Sequence, residues 1–134
     1  MFRGVRLPVP SDAVARGGVC SVACMTEEMV PVFRVADAAS TARWYTRMGF
    51  RVVGEHRFAP ELPLYLFLER GGVHLHLSEH AGDAPPDSLV YFWVHDVDLI
   101  AAEFGVEVTD QPWAREIELE DPDGNRLRVA TTRE

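Results

Sequence analysis

A strand–helix–strand–strand–strand order that occurs twice constrains this chain more than any other feature. In the first pass Val30-Pro-Val-Phe-Arg-Val35 is a short β run. Asp37 is placed to cap a helix carrying Ala38, Ala39, Ala42, Trp44, Tyr45 and Met48, and Gly49 stops it. Residues 50–57 and 62–69 read as strands, Arg70-Gly71-Gly72 as a hairpin turn, and 73–78 alternates strictly. After a loop over 80–87 the cycle returns, with a strand over 89–95, a helix over 97–104 opened by Asp96, and a stop at Gly105. Strands are expected at 106–108, 115–120 and 126–130, the last two joined by an Asp121-Pro-Asp-Gly124 turn. Two such βαβββ units, about 29–79 and 88–131, predict an α+β fold. Each module should be a curved sheet with one helix on its outer face.

Residues 1–28 do not share this pattern. They are rich in Gly, Pro, Ser and Ala, with Phe2 as the one aromatic. The expectation is a flexible extension ahead of a single domain over 29–134, with Met25 an alternative start. Cys20 and Cys24 are the only cysteines, too few for a disulfide framework and a poor zinc signature. No apolar run approaches the roughly 18–20 residues of a membrane span. Nor is there a secretory apolar core, so the expected compartment is the cytoplasm.

Charge narrows the partners. The chain carries 13 basic and 21 acidic side chains, a net charge of −8, and every basic residue is an arginine. That excess argues against a nucleic-acid partner, which calls for dense basic patches. The absence of lysine removes Schiff-base and Walker-type phosphate chemistry. Residues 96–123 hold ten acids against Arg115 alone, so the negative field belongs to the C-terminal half and favours cations.

Several local signatures together resemble the vicinal-oxygen-chelate superfamily of glyoxalases, extradiol dioxygenases and bleomycin-resistance proteins. They are Pro31-Val-Phe-Arg-Val-Ala-Asp37, Ala42-Arg-Trp-Tyr45, Met48-Gly-Phe50 and the closing Asp121-Pro-Asp-Gly-Asn125. Within it, Val90-Tyr-Phe-Trp-Val94 followed by Asp98, and Gln111-Pro-Trp-Ala-Arg-Glu116, are similar to the small antibiotic-binding proteins that confer bleomycin resistance. The resemblance implies a curved mixed sheet with a concave ligand groove, and an arm-exchanged homodimer with grooves at the subunit interface. It also implies sequestration of a cationic drug without turnover. The family's Gly in the Gln-Pro-Trp segment is Ala114 here, and the spacers before Leu89 and between Asp98 and Gln111 are shorter.

Catalytic relatives hold a divalent ion at set strand positions. By the resemblance these fall on Val30, His76, Leu89 and Arg128. An aliphatic side chain cannot ligate a metal and a guanidinium repels one, so only His76 remains, and no cofactor is expected. His74 and His76 share a strand face with Ser78. They read either as polar groove-lining residues or as the core of a non-standard metal site, with His80 and His95 as helpers.

Tyr91 and Trp93 share the other functional strand face. With Trp113 they either form an aromatic wall that stacks heterocycles and attracts cations, or fill the core. Glu116, Glu118 and Glu120 all point one way, making an acidic wall if that face is concave and a solvated strand if convex. Arg115 and Glu116, in the signature segment, are expected to shape the rim. Arg34 and Arg128 point into the concavity, where they either pair with Glu118 or Glu120 or bind an anion.

The expected function is metal-independent binding and sequestration of a bleomycin-type or other cationic, aromatic antibiotic. Its site would comprise Trp113, Trp93, Tyr91, His76, His74, Arg115, Glu116, Arg128 and Arg34. The alternatives are a metal-dependent enzyme of the same superfamily built on His74 and His76, and an immunity protein for another natural product.

Overall fold

The computed structural model describes residues 27–133. The extension over 1–28, the exchanged arm, Met25, Cys20 and Cys24 thus fall wholly or almost wholly outside the described residues. From Val32 onward the chain forms β1 (Val32–Arg34), α1 (Ala38–Thr46), β2 (Arg51–His56), β3 (Tyr65–Arg70) and β4 (Val73–Ser78). The second pass gives β5 (Leu89–Trp93), α2 (Val97–Phe104), β6 (Thr109–Asp110), β7 (Ala114–Glu120) and β8 (Arg126–Thr132). The two sheets have orders β1-β4-β3-β2 and β5-β8-β7-β6, each with one parallel pair, β1–β4 or β5–β8, and antiparallel pairs elsewhere. The duplicated α+β architecture read from the sequence is therefore present in both halves. One strand differs: 106–108 is not a strand, and the short β6 lies just beyond it. Val106 is held instead at the end of α2, its N–H donating to the Ala101 carbonyl.

Local chemistry explains the helices. Asp37 is extended and its carboxylate accepts from the Ser40 N–H at 3.1 Å, satisfying a donor that the first turn leaves free. Glu79, just past β4, accepts from the Ala38 N–H at 2.8 Å and the Leu64 N–H at 3.0 Å, tying α1 to the sheet. Ala38, Thr41, Ala42 and Tyr45 are the buried stripe of α1, at the i, i+3, i+4, i+7 spacing of one helical face. Asp96 caps α2, whose Val97, Ile100 and Ala101 are buried, and Gly105 closes it in the left-handed conformation at φ +65°.

One apolar cluster runs through both modules. Phe33, Leu66, Leu68, Leu75 and Leu77 from the first sheet join Ile117, Leu119, Leu127 and Val129 from the second. Phe50 and Phe92 bridge them with ring centroids 5.7 Å apart, and Trp44 of α1 meets Phe104 of α2 at 5.0 Å. Truncating a buried ring such as Phe33 to alanine would cost about 3–5 kcal/mol. Strand alternation leaves the opposite faces open to carry chemistry.

A bulge refines the first of those faces. Val52 pairs with Leu68 but Gly54 pairs with Phe67, so Val53 is an extra residue. That shift brings His56 opposite Tyr65 on the open side. No helix among the described residues is long and apolar enough to cross a membrane.

Candidate functional site

The open face of the second sheet is built in cross-strand rows. Leu89, Arg126 and Glu120 form one row; Tyr91, Arg128 and Glu118 the next; Trp93, Ala130 and Glu116 the third. Ile117 and Leu119 point to the core, so Glu116, Glu118 and Glu120 stand on the same face as Tyr91 and Trp93. The acidic side chains are thus on the side away from α2. Their charge is partly spent within the face. Glu118 takes Arg128 at 3.2 Å and Arg126 at 3.6 Å, so the row beside Tyr91 is locally balanced rather than acidic.

The aromatics on this face are not core. Tyr91, Trp93 and Trp113 are 39%, 49% and 54% exposed. Tyr91 and Trp93 have centroids 5.0 Å apart at 50°. The Tyr91 hydroxyl donates to Glu116 Oε1 at 2.5 Å and accepts from Trp113 Nε1 at 3.0 Å. Partial desolvation and the bond to Glu116 hold the Tyr91 phenol above its ordinary pKa, so it stays a donor. The segment before β7 is pinned by its backbone, with Gln111 N–H donating to the Ala114 carbonyl at 2.7 Å and Arg133 N–H to that of Trp113 at 3.2 Å.

Arg115 lies elsewhere. It alternates with Glu116 and so leaves the face, making a bidentate pair with Asp98 of α2 at 2.6 and 3.0 Å. Those hydrogen bonds lower the Asp98 carboxyl and raise the Arg115 guanidinium. The Arg115 side chain braces α2 against β7 rather than joining the aromatic cluster.

His74, His76 and Arg34 belong to the open face of the first sheet. Arg34 folds back on the Val35 carbonyl. His76 Nδ1 is 2.7 Å from the Tyr65 hydroxyl, and its ring meets Phe67 edge-on at 4.7 Å. Burial, with His74 adjacent, lowers His76 to about 4, while burial and Asp83 push Tyr65 up to about 12. At neutral pH a neutral imidazole therefore faces an un-ionised phenol. His74 is buried between Glu28, 3.0 Å from Nδ1, and Glu69, 3.5 Å from Nε2. Glu69 is buried too and also takes Arg51 at 3.0 Å.

Sequence reasoning missed Tyr65, Glu69 and Glu28 as partners of the two histidines. Tyr65 and Glu69 were legible in principle, because strand alternation puts both on the histidine face. It also missed a cavity of about 450 Å³ at the end of this sheet. Phe58, Leu62, Pro63 and Leu64 form its apolar lip, while Tyr65, Ser78, His80 and Asp83 supply polar groups. His80 sits there with Nδ1 3.5 Å from Asp83, and His95 is exposed after β5.

These residues do not fit the divalent ion of the catalytic relatives. Val30 and Leu89 offer no donor, Arg128 is a cation held by Glu118, and His76, its Nδ1 2.7 Å from the Tyr65 hydroxyl, is one ligand where three or more are needed. Among the described residues no three His, Cys, Asp or Glu side chains are grouped to share a metal ion.

Known proteins place the fold. The solved structure of a bleomycin-binding protein complexed with bleomycin superposes with a TM-score of 0.64 at 24% identity, covering 81% of this chain and 100% of that one. A bleomycin resistance determinant encoded on the transposon Tn5 gives 0.59 at 24%, with 81% and 100% covered. TnmS3, an antibiotic binding protein from Streptomyces sp. CB03234, gives 0.63 at 19%, with 81% and 98% covered. At these identities the likeness is one of fold. No curated protein matches the chain by sequence. The sequence profile described as "Glyoxalase superfamily protein" matches residues 16–134. With that match across most of its length, the chain belongs to the glyoxalase superfamily.

Proposed function

We propose that this protein binds and sequesters a bleomycin-type or other cationic, aromatic antibiotic, without a metal and without chemical turnover. The observation that carries the reading is the exposed Tyr91, Trp93 and Trp113 cluster beside Glu116 on an open sheet face. Large aromatics left half in water are expensive unless a ligand or partner covers them. Flat heterocycles stack on such rings, and a cationic substituent gains from the π faces and from the Glu116 carboxylate. Structures with the same fold include one captured with bleomycin and another named as antibiotic binding.

The protein acts in this reading as a cytoplasmic homodimer, its domain spanning 29–134 and its first 28 residues forming an extension. The open face of one copy's second sheet meets the first sheet of its partner. The exposed Phe58, Leu62, Val73 and Leu89 supply apolar rim for that contact.

The test is titration of the full chain with metal-free and copper-loaded bleomycin, following tryptophan fluorescence. Saturable quenching at micromolar drug, about 8 kcal/mol of binding energy, is expected. No saturable change with either form removes the reading. Sedimentation at the same concentrations should give a dimer, and a monomer there contradicts the shared groove.

A further inference from the structure

We infer that Glu116 is a positioning residue, which fixes the plane of the exposed Trp113 indole through the Tyr91 hydroxyl before any ligand arrives. The chemistry is directional. An indole N–H can only donate, so Trp113 bonds to Tyr91 only when the single phenol proton is turned elsewhere. Glu116 Oε1, 2.5 Å from that oxygen, takes the proton's bond and leaves the lone pairs to Trp113 Nε1 at 3.0 Å. The chain from indole to phenol to carboxylate therefore runs one way, each bond polarising the next.

The surrounding residues fit this role. Tyr91 is on β5 and Glu116 on β7, one cross-strand row apart, with β8 between them. The β8 residue in Glu116's row is Ala130, whose methyl leaves room for the phenol to reach diagonally across. The Tyr91 ring also packs on Trp93 at 5.0 Å, so one tyrosine holds both exposed indoles. Ordering an aromatic in advance lowers the entropy lost on binding. Its value to a ligand rests on the function proposed above, but the hydrogen-bond chain itself does not.

The experiment follows the indole N–H resonances of the ¹⁵N-labelled full chain, with Trp113 assigned from Trp113→Phe. Tyr91→Phe and Glu116→Ala should each shift the Trp113 signal and speed its exchange with water. Glu116→Gln, whose side-chain oxygen still accepts, should restore it to near its original position. The signal of Trp44, packed on Tyr45 and Phe104, reports that the fold is intact. In titrations with metal-free bleomycin, Tyr91→Phe and Glu116→Ala should weaken binding about three- to tenfold, and Glu116→Gln by less. A Trp113 resonance indifferent to Tyr91→Phe or Glu116→Ala overturns the inference. So does a Gln variant whose Trp113 resonance behaves like that of Ala, since charge and not the hydrogen bond would then be responsible. If the unmodified protein does not bind bleomycin, the proposed function falls while the resonances still decide this point.

Discussion

The Tyr45 hydroxyl on α1 donates to Asp121 Oδ2 at 2.7 Å, a buried bond between residues 76 apart in the chain. Burial and the Asp121 carboxylate hold the phenol far above its ordinary pKa, so it remains a donor at any physiological pH. Asp121 also accepts from the N–H groups of Asp123 at 2.8 Å and Asn125 at 3.0 Å. Asp123 takes Thr41 Oγ1 at 2.6 Å and Ala36 N–H at 2.8 Å, while Asn125 reaches the Arg34 carbonyl and the Ser88 N–H. One five-residue turn of the second module thereby clasps the first strand and helix of the other.

Breaking that clasp from its two sides should have unequal cost. Tyr45→Phe leaves Asp121 with its three other donors, the N–H groups of Asp123 and Asn125 and the Asn125 side-chain amide at 3.2 Å, and should lose about 1–2 kcal/mol. Asp121→Ala orphans several buried donors at once and should lose about 3 kcal/mol or more, each orphan costing about 1–3. Urea midpoints of the two variants check the order; equal losses would contradict it.

Backbone conformation gives a second test in the same turn. Gly124 sits at φ +86°, and an added Cβ would come within 2.6 Å of Asp87 Oδ1. The side chain of Asp87 can swing away, so the left-handed backbone is the larger obstacle. Gly124→Ala should lower stability by about 1–2 kcal/mol in thermal or urea unfolding.

Acid should weaken the fold partly through His76. Its folded pKa is about 4 against an ordinary 6.5, so between these values the unfolded chain binds more protons. Stability then falls as pH drops from about 6.5 to about 4 and gains nothing from His76 above that window. The neighbouring charges are His74, which lowers the value, and Glu28, which raises it. His76→Gln should flatten this part of the pH profile of the urea midpoint relative to the unmodified protein. At pH 7, ¹⁵N shifts should show a neutral His76 ring, hydrogen-bonded at Nδ1 to Tyr65.

Removing the outermost ring should be the most damaging single change to binding. Trp113→Ala is expected to weaken metal-free bleomycin at least about tenfold while leaving the urea midpoint nearly unmoved, because this indole is more than half exposed. A matched fall in stability and affinity would argue against a binding role.

Much of this was readable from period and punctuation. Asp37, Asp96 and Gly105 announce their helices because capping is local chemistry, and alternation assigns Tyr91, Trp93 and the three glutamates to one face. Arg115 shows where a matched segment misleads. Its place beside Glu116 in the signature suggested a shared site, yet the same alternation sends it to Asp98. The Tyr45–Asp121 bond and the pairing of Glu118 with two arginines depend on how distant strands meet, which no local pattern records. The exposure of the aromatics was equally undecidable, since a strand face says which side a ring takes but not whether anything covers it.

The two modules do not end alike. The outer strand of the first sheet is six residues long, whereas its counterpart β6 has two and runs straight into the Gln111–Trp113 bend. One module keeps a full border strand, while in the other the short β6 gives way to the loop that carries Trp113. Since the clasp sits at Asp121–Asn125, beyond the opposite end of β7, the border can be lengthened, shortened or recomposed without disturbing the joint. The fastening of the halves and the composition of this border are thus separate matters in the fold.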